Sequence, residues 1–185
     1  GAITNDGDIE LDSTGSTTDL FISNGSLAGT GTLSLSSGAN RIFGSGAGAT
    51  LDVVAGATQT FQSSGAGTGF ATFGSSALAV GNDGTLVADG PVDVQLTSST
   101  FTNSATGRFE AHNGGAFEIG NGSRIVGGTL ATSTGGEIRG ISGGGTLDAV
   151  TNLGQVRLEN GADLTLAGAI TNDGDIELDS TGSTT

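Results

Sequence analysis

Residues 150–168 read "VTNLGQVRLENGADLTLAG", and twenty positions after Val150 the chain reads "ITNDGDIELDSTGSTT" from Ile170 to Thr185. The two stretches share one frame, apolar-Thr-Asn-x-Gly-x-apolar-x-Leu. Within it Val156 and Leu158 alternate with polar residues, as do Ile176 and Leu178, and a period of two is the mark of a half-buried strand. A looser copy begins at Phe101, "FTNSATGRFEAHNGGAFEIGNG", where two extra residues precede the Gly and apolar alternation resumes at Phe109, Ala111, Phe117 and Ile119.

The same alternation runs through Ile9 and Leu11, Leu33 and Leu35, Leu51 and Val53, Leu78 and Val80, Val92, Val94 and Leu96, and Leu164 and Leu166. No helical stripe occurs. Turn signals separate the strands: Asn-Gly at Asn24, Asn113, Asn121 and Asn160, and Asn-Asp-Gly at Asn5, Asn82 and Asn172. Short strands with Gly-rich corners suit a sandwich, a barrel or a solenoid, but a sandwich has no reason to repeat its turn letters at a fixed interval. A unit of about twenty residues holding two or three short strands matches one turn of a parallel β-helix, whose coils stack at the strand spacing of about 4.8 Å. The fold expected is therefore all-β, a parallel β-solenoid with about 20 residues per coil. Stacking puts Asn152 under Asn172 as an amide ladder, Gly154 under Gly174, Arg157 beside Glu177, and Glu159 beside Asp179.

A second repeat is longer. "GAITNDGDIELDSTGSTT" occupies residues 1–18 and again 168–185. Residues 1–167 thus read as one full period and 168–185 as the start of the next, in a longer tandem array. About eight coils per period give a rise of roughly 40 Å.

Composition fits this reading. Leu, Ile, Val and Phe supply only 43 of 185 residues, near the lower limit for a core, while 36 residues are Gly. A coil needs few inward side chains because the coils above and below close the rest of its core. Five Arg face nineteen carboxylates, for a net charge of −14, which argues against nucleic acid and anionic membrane surfaces as partners. There is no cysteine, no signal-peptide pattern and no apolar run long enough for a membrane-spanning helix, so neither thiolate chemistry nor membrane insertion is expected.

"VTNLGQVRLENGADLTLAGAITNDGDIEL", with "SLAGTGTLSL", "RIVGGTLAT" and "ISGGGTLDAV", resembles the coils of large secreted bacterial surface proteins, the filamentous-haemagglutinin-like and autotransporter-type adhesins. The resemblance covers residues 1–35 and 100–178 well and 44–90 loosely. It implies a right-handed parallel β-helix exported to the bacterial cell surface. The matched letters are structural, so it carries over no catalytic or receptor-binding residue.

Few residues suggest chemistry. The acidic row Asp6, Asp8, Glu10 and Asp12, repeated as Asp173, Asp175, Glu177 and Asp179, could offer oxygens to Ca²⁺, but Leu11 stands where an EF-hand loop needs Gly, and a solvated acidic face is the simpler reading. His112, the one histidine, lies beside Asn113 and two glycines and reads as a turn residue. "GSGAGA" at 44–49 satisfies a dinucleotide-binding pattern without a helix to follow it. Asn24 and Asn121 begin Asn-Gly-Ser sequons that glycosylation would use and that turns also demand. No cofactor is expected.

The function these features imply is structural and non-catalytic: a rigid stalk, spacer or fibre of a giant extracellular protein, whose partners are the adjacent identical repeats. The alternative is a repeat face that binds glycan or a partner cell multivalently. A polysaccharide-acting β-helix enzyme would need carboxylates with a Lys, Arg or His in one groove. An ice-binding solenoid would need Thr-x-Thr on successive coils, and among the clear strands only Thr30–Thr32 and Thr58–Thr60 are read as offering it.

Overall fold

Three strands complete each turn, and every third strand along the chain enters the same sheet. A computed structural model describes residues 1–75 and 78–182. Among them are twenty-four strands and no helix, arranged as three parallel eight-stranded sheets that wrap one core, a β-solenoid of about eight turns. The first turn holds β1 (Ala2–Thr4), β2 (Asp8–Leu11) and β3 (Thr18–Ile22), one in each sheet; the last holds β22 (Leu164–Ala167), β23 (Thr171–Asn172) and β24 (Asp175–Leu178). The last three residues of the duplicated segment, 183–185, lie outside the described residues.

The mean turn takes roughly 23 residues, more than the 20 read from the sequence. Twenty holds only for the last coil, where Asn152 pairs with Asn172. Elsewhere the corner loops mostly lengthen the turn, as between Ile42 and its partner Phe73, and in places shorten it, as between Ile138 and Val156. Strands must keep register to keep their hydrogen bonds, whereas corners face solvent and accept insertions.

Period-two alternation fixes what points inward. Leu35, Leu96, Ile119, Ile125, Leu130 and Ile138 are fully buried, along with five phenylalanines. Phe61, Phe73, Phe101, Phe109 and Phe117 form a closed cycle of ring contacts with centroids 5.0 to 6.0 Å apart, mostly edge to face, a geometry worth about 0.5–1.5 kcal/mol per pair beyond area burial. Small residues make room for them: Phe61 stacks on Ala88, and Ala88 on Ala111.

Asparagine closes the corners. Asn152 donates from Nδ2 to Oδ1 of Asn172, in register above it, at 2.7 Å, and Asn82 does the same to Asn103 at 2.8 Å. Each also braces its own turn, with Gly154 N 3.1 Å from Asn152 Oδ1 and Gly84 N 3.2 Å from Asn82 Oδ1. Where the second turn carries Gly29 and Gly31 at this corner, Gln59 of the third turn, fully buried, accepts from Asn5 Nδ2 at 2.9 Å and donates to Gly29 O at 3.0 Å. Gly174 sits so close over Gly154 that any side chain there would overlap the Gly154 carbonyl oxygen.

The inward columns end in uncovered apolar side chains. Ile3 is 41% exposed in the first turn, and Leu166 and Leu178 are 49% and 63% exposed in the last, although their register partners Leu27, Leu147 and Leu158 are buried.

Candidate functional site

The densest chemistry lies on the outer side of the third sheet, toward its later turns. Burial of Val94, Phe117, Ile138 and Val156 forces their neighbours outward by alternation: Asp93 and Gln95, Glu118, Glu137 and Arg139, and Arg157. Parallel register then stacks Glu118 on Arg139 and Arg139 on Arg157.

Two guanidiniums in adjacent register would repel, and carboxylates separate them. Glu137 touches both, with Oε2 3.3 Å from Arg139 Nε and Oε1 3.3 Å from Arg157 Nη1. Glu159 Oε1 lies 3.5 Å from Arg139 and 4.0 Å from Arg157. Arg139 also reaches Glu118 at 2.9 Å and Asp93 at 3.6 Å, and Arg157 reaches Asp179 at 2.6 Å. Two cations thus serve five carboxylates. Burial pushes the Glu118 carboxyl above its usual range, the nearby Asp93 charge adds to this, and Arg139 opposes it. Asp93 is likewise raised by burial against the pull of Arg139.

The stacking read from the sequence holds at Arg157 and Glu177, while the ion pairing takes another partner. Arg157 is in register with Glu177, but it pairs with Asp179, two residues on, and Glu177 accepts instead from Gln155 Nε2 at 2.9 Å. Glu159 and Asp179, side by side in the sequence reading, are bridged by one cation, because Arg157 reaches both.

The acidic row is not gathered into a ligand set. Asp6 Oδ1 accepts from Thr30 N at 3.1 Å and Asp8 Oδ1 from Ser34 Oγ at 2.8 Å, so two of its carboxylates tie the first turn to the second. Among the described residues no group of three or more carboxylate, imidazole or thiol side chains converges as a metal site would require. Asn24 and Asn121 both adopt left-handed backbone, with φ of 80° and 49°, as turn residues do, and Asn24 Oδ1 accepts from Thr50 N at 3.0 Å. The 44–49 stretch joins strand Asn40–Gly44 to strand Ala49–Val53, with no helix to receive a phosphate. Thr32 does stack on Thr60, but Val87 follows in that column and ends the Thr-x-Thr run.

His112 is more connected than a turn residue. It ends the strand Arg108–His112, its Nδ1 is 2.6 Å from Ser133 Oγ on the next coil, and its Nε2 is 3.3 Å from Glu110 Oε2. Serine, imidazole and carboxylate therefore form a hydrogen-bonded row that sequence reasoning missed, because 21 residues and three corners separate Ser133 from His112. The row resembles a nucleophile-base-orienter relay in order. Ser133 is exposed, and Glu110 shares its other oxygen with Arg108 Nε at 2.5 Å.

An aromatic patch stands on the third sheet near the first turn. Phe21, 59% exposed, stacks in register on Phe43, and the Arg41 guanidinium lies 4.8 Å from the Phe43 ring centroid while pairing with Asp19 at 2.5 Å. Comparison with known proteins finds no match to this chain among family models, curated proteins or solved structures.

Proposed function

We propose that this chain is one period of a tandem array that builds a long, acidic, non-catalytic β-solenoid rod, serving as stalk, spacer or fibre in a secreted bacterial surface protein of the adhesin type. One observation carries the reading. The repeated segment is itself a stacking coil: Asn172, Gly174, Ile176 and Leu178 sit in register on Asn152, Gly154, Val156 and Leu158, and the same letters at residues 1–18 form the opening coil. The uncovered Ile3, Leu166 and Leu178 are what a further coil would bury. Net charge of −14 keeps such a polymer soluble and discourages rods from aggregating. Non-catalytic action is tested with nitrophenyl esters: the reading expects release no faster than free imidazole gives, and hydrolysis abolished by Ser133→Ala would overturn it.

A second reading has its own support. Phe21 is exposed beside Phe43, whose ring the Arg41 guanidinium covers while pairing with Asp19, an aromatic and charged surface suited to the CH faces and hydroxyls of a sugar. A glycan panel separates the two. A pure spacer binds nothing on it, whereas binding that Phe21→Ala removes would make the face itself adhesive.

A further inference from the structure

The duplicated segment does not return to the same face. In its first copy Ala2–Thr4 lies in the first sheet and Asp8–Leu11 in the second; in its second copy Thr171–Asn172 lies in the second sheet and Asp175–Leu178 in the third. From β2 to β24 is twenty-two strands, and with three strands to a turn that is seven turns plus one face.

The corner motif moves in the same way, seen at different residues. Asn82-Asp83-Gly84 turns the chain from the first sheet (Leu78–Asn82) into the second (Thr85–Asp89). Asn152-Leu153-Gly154 turns it from the second (Thr151–Asn152) into the third (Gln155–Leu158), with the same Gly N to Asn Oδ1 bond at 3.1 Å against 3.2 Å. Neither strand nor corner is tied to one face, because the faces ask similar things of their residues: alternate side chains turned inward, apolar or hydrogen-bonded, and a bend.

We infer that in a continuous array of this 167-residue period each repeat is rotated by one face relative to the last, so that every outward feature winds around the rod and regains its starting face after three repeats, or 22 turns. With strands about 4.8 Å apart, copies recur roughly every 35 Å along the axis, each a third of a turn on, and the pattern closes at about 105 Å. This rests on the array reading above. Its consequence is a particular interaction surface. The Phe21–Phe43 patch and the Arg139 network point in three directions, so a flat partner touches one copy in three, while a partner that surrounds the rod, such as a branched polymer, reaches every copy. Two rods cannot zip along one face, since no column continues unchanged past a single repeat.

The test is a chain of three consecutive periods carrying one epitope tag in the 64–68 loop of each, bound by an antibody fragment and imaged by electron microscopy. The inference expects three fragments about 35 Å apart along one rod, pointing in three directions. All three on one side of a continuous rod would overturn it while sparing the array. Separate bodies joined by tethers would overturn the array reading itself. The single chain supplies an independent check, since it has no cysteine. Asp8 and its copy Asp175 are register partners of Thr32 in the second sheet and Gln155 in the third. Asp8→Cys with Thr32→Cys, and Asp175→Cys with Gln155→Cys, should each close a disulfide readily. Failure of the second pair in a folded protein would overturn the change of face.

Discussion

Asn152 and Asn172 lie one coil apart and are joined side chain to side chain, Nδ2 to Oδ1, at 2.7 Å. Asn82 makes the same link in mid-stack: buried, it donates to Asn103 Oδ1 at 2.8 Å and to Arg108 O at 3.1 Å and accepts from Gly84 N. Removing one partner strands the others away from water. Asn82→Ala should cost about 1–3 kcal/mol, read as a lower urea midpoint. Asn82→Asp should cost more at neutral pH, since it loses the donor and buries a charge. An unchanged midpoint for both would mean the ladder holds nothing together.

Glycines divide by what surrounds them. A Cβ at Gly107 would overlap the Asn82 carbonyl oxygen on the coil below, while one at Gly46 meets nothing within 4 Å. Gly107→Ala should destabilise by about 1–3 kcal/mol through overpacking. Gly46→Ala should be neutral or gain up to about 1 kcal/mol by restricting the unfolded chain. Thermal melts of the two variants side by side check the contrast.

Phenylalanines divide likewise. Phe109 is fully buried and touches the rings of Phe101 and Phe117, so Phe109→Ala should cost about 3–5 kcal/mol. Phe21→Ala, on the exposed patch, should stay within about 0.5 kcal/mol of the parent. Equal losses at both sites would contradict the assignment of inner and outer columns.

Glu118 makes stability depend on pH in an unusual direction for a carboxylate. Burial, reinforced by Asp93, raises its carboxyl above the usual 4.5 despite Arg139. The folded chain therefore keeps a proton that the unfolded chain has already lost. Below pH 4.5 both states are protonated and the group costs nothing; as pH climbs from there through the raised value, its contribution to stability falls. Glu118→Gln, whose Oε1 still accepts from Arg139, should raise the melting temperature at pH 7 and leave it unchanged near pH 4. A lower melting temperature at pH 7 would show that the ion pair outweighs the burial.

The strands and the last ladder were legible because they are local. Ile9 and Leu11 or Val156 and Leu158 announce inward columns by alternation, and Asn152 and Asn172 announce their stacking because no insertion lies between them. What depends on variable corners was not. Asp93, Glu118, Glu137, Glu159 and Asp179 come together around Arg139 and Arg157 across turns of unequal length, so no fixed spacing marks them. Ser133 meets His112 for the same reason. The change of face left no trace in the letters, since the same residues fill the first and second faces in one copy and the second and third in the other.

In the proposed array, periods of this chain continue one another's coils. Small-angle scattering and electron microscopy of chains with one, two and three periods test it directly. Continuous stacking gives rods of constant cross-section whose length grows by about 35 Å with each added 167 residues. Length that fails to grow in equal steps, or beads on a flexible string, would contradict it.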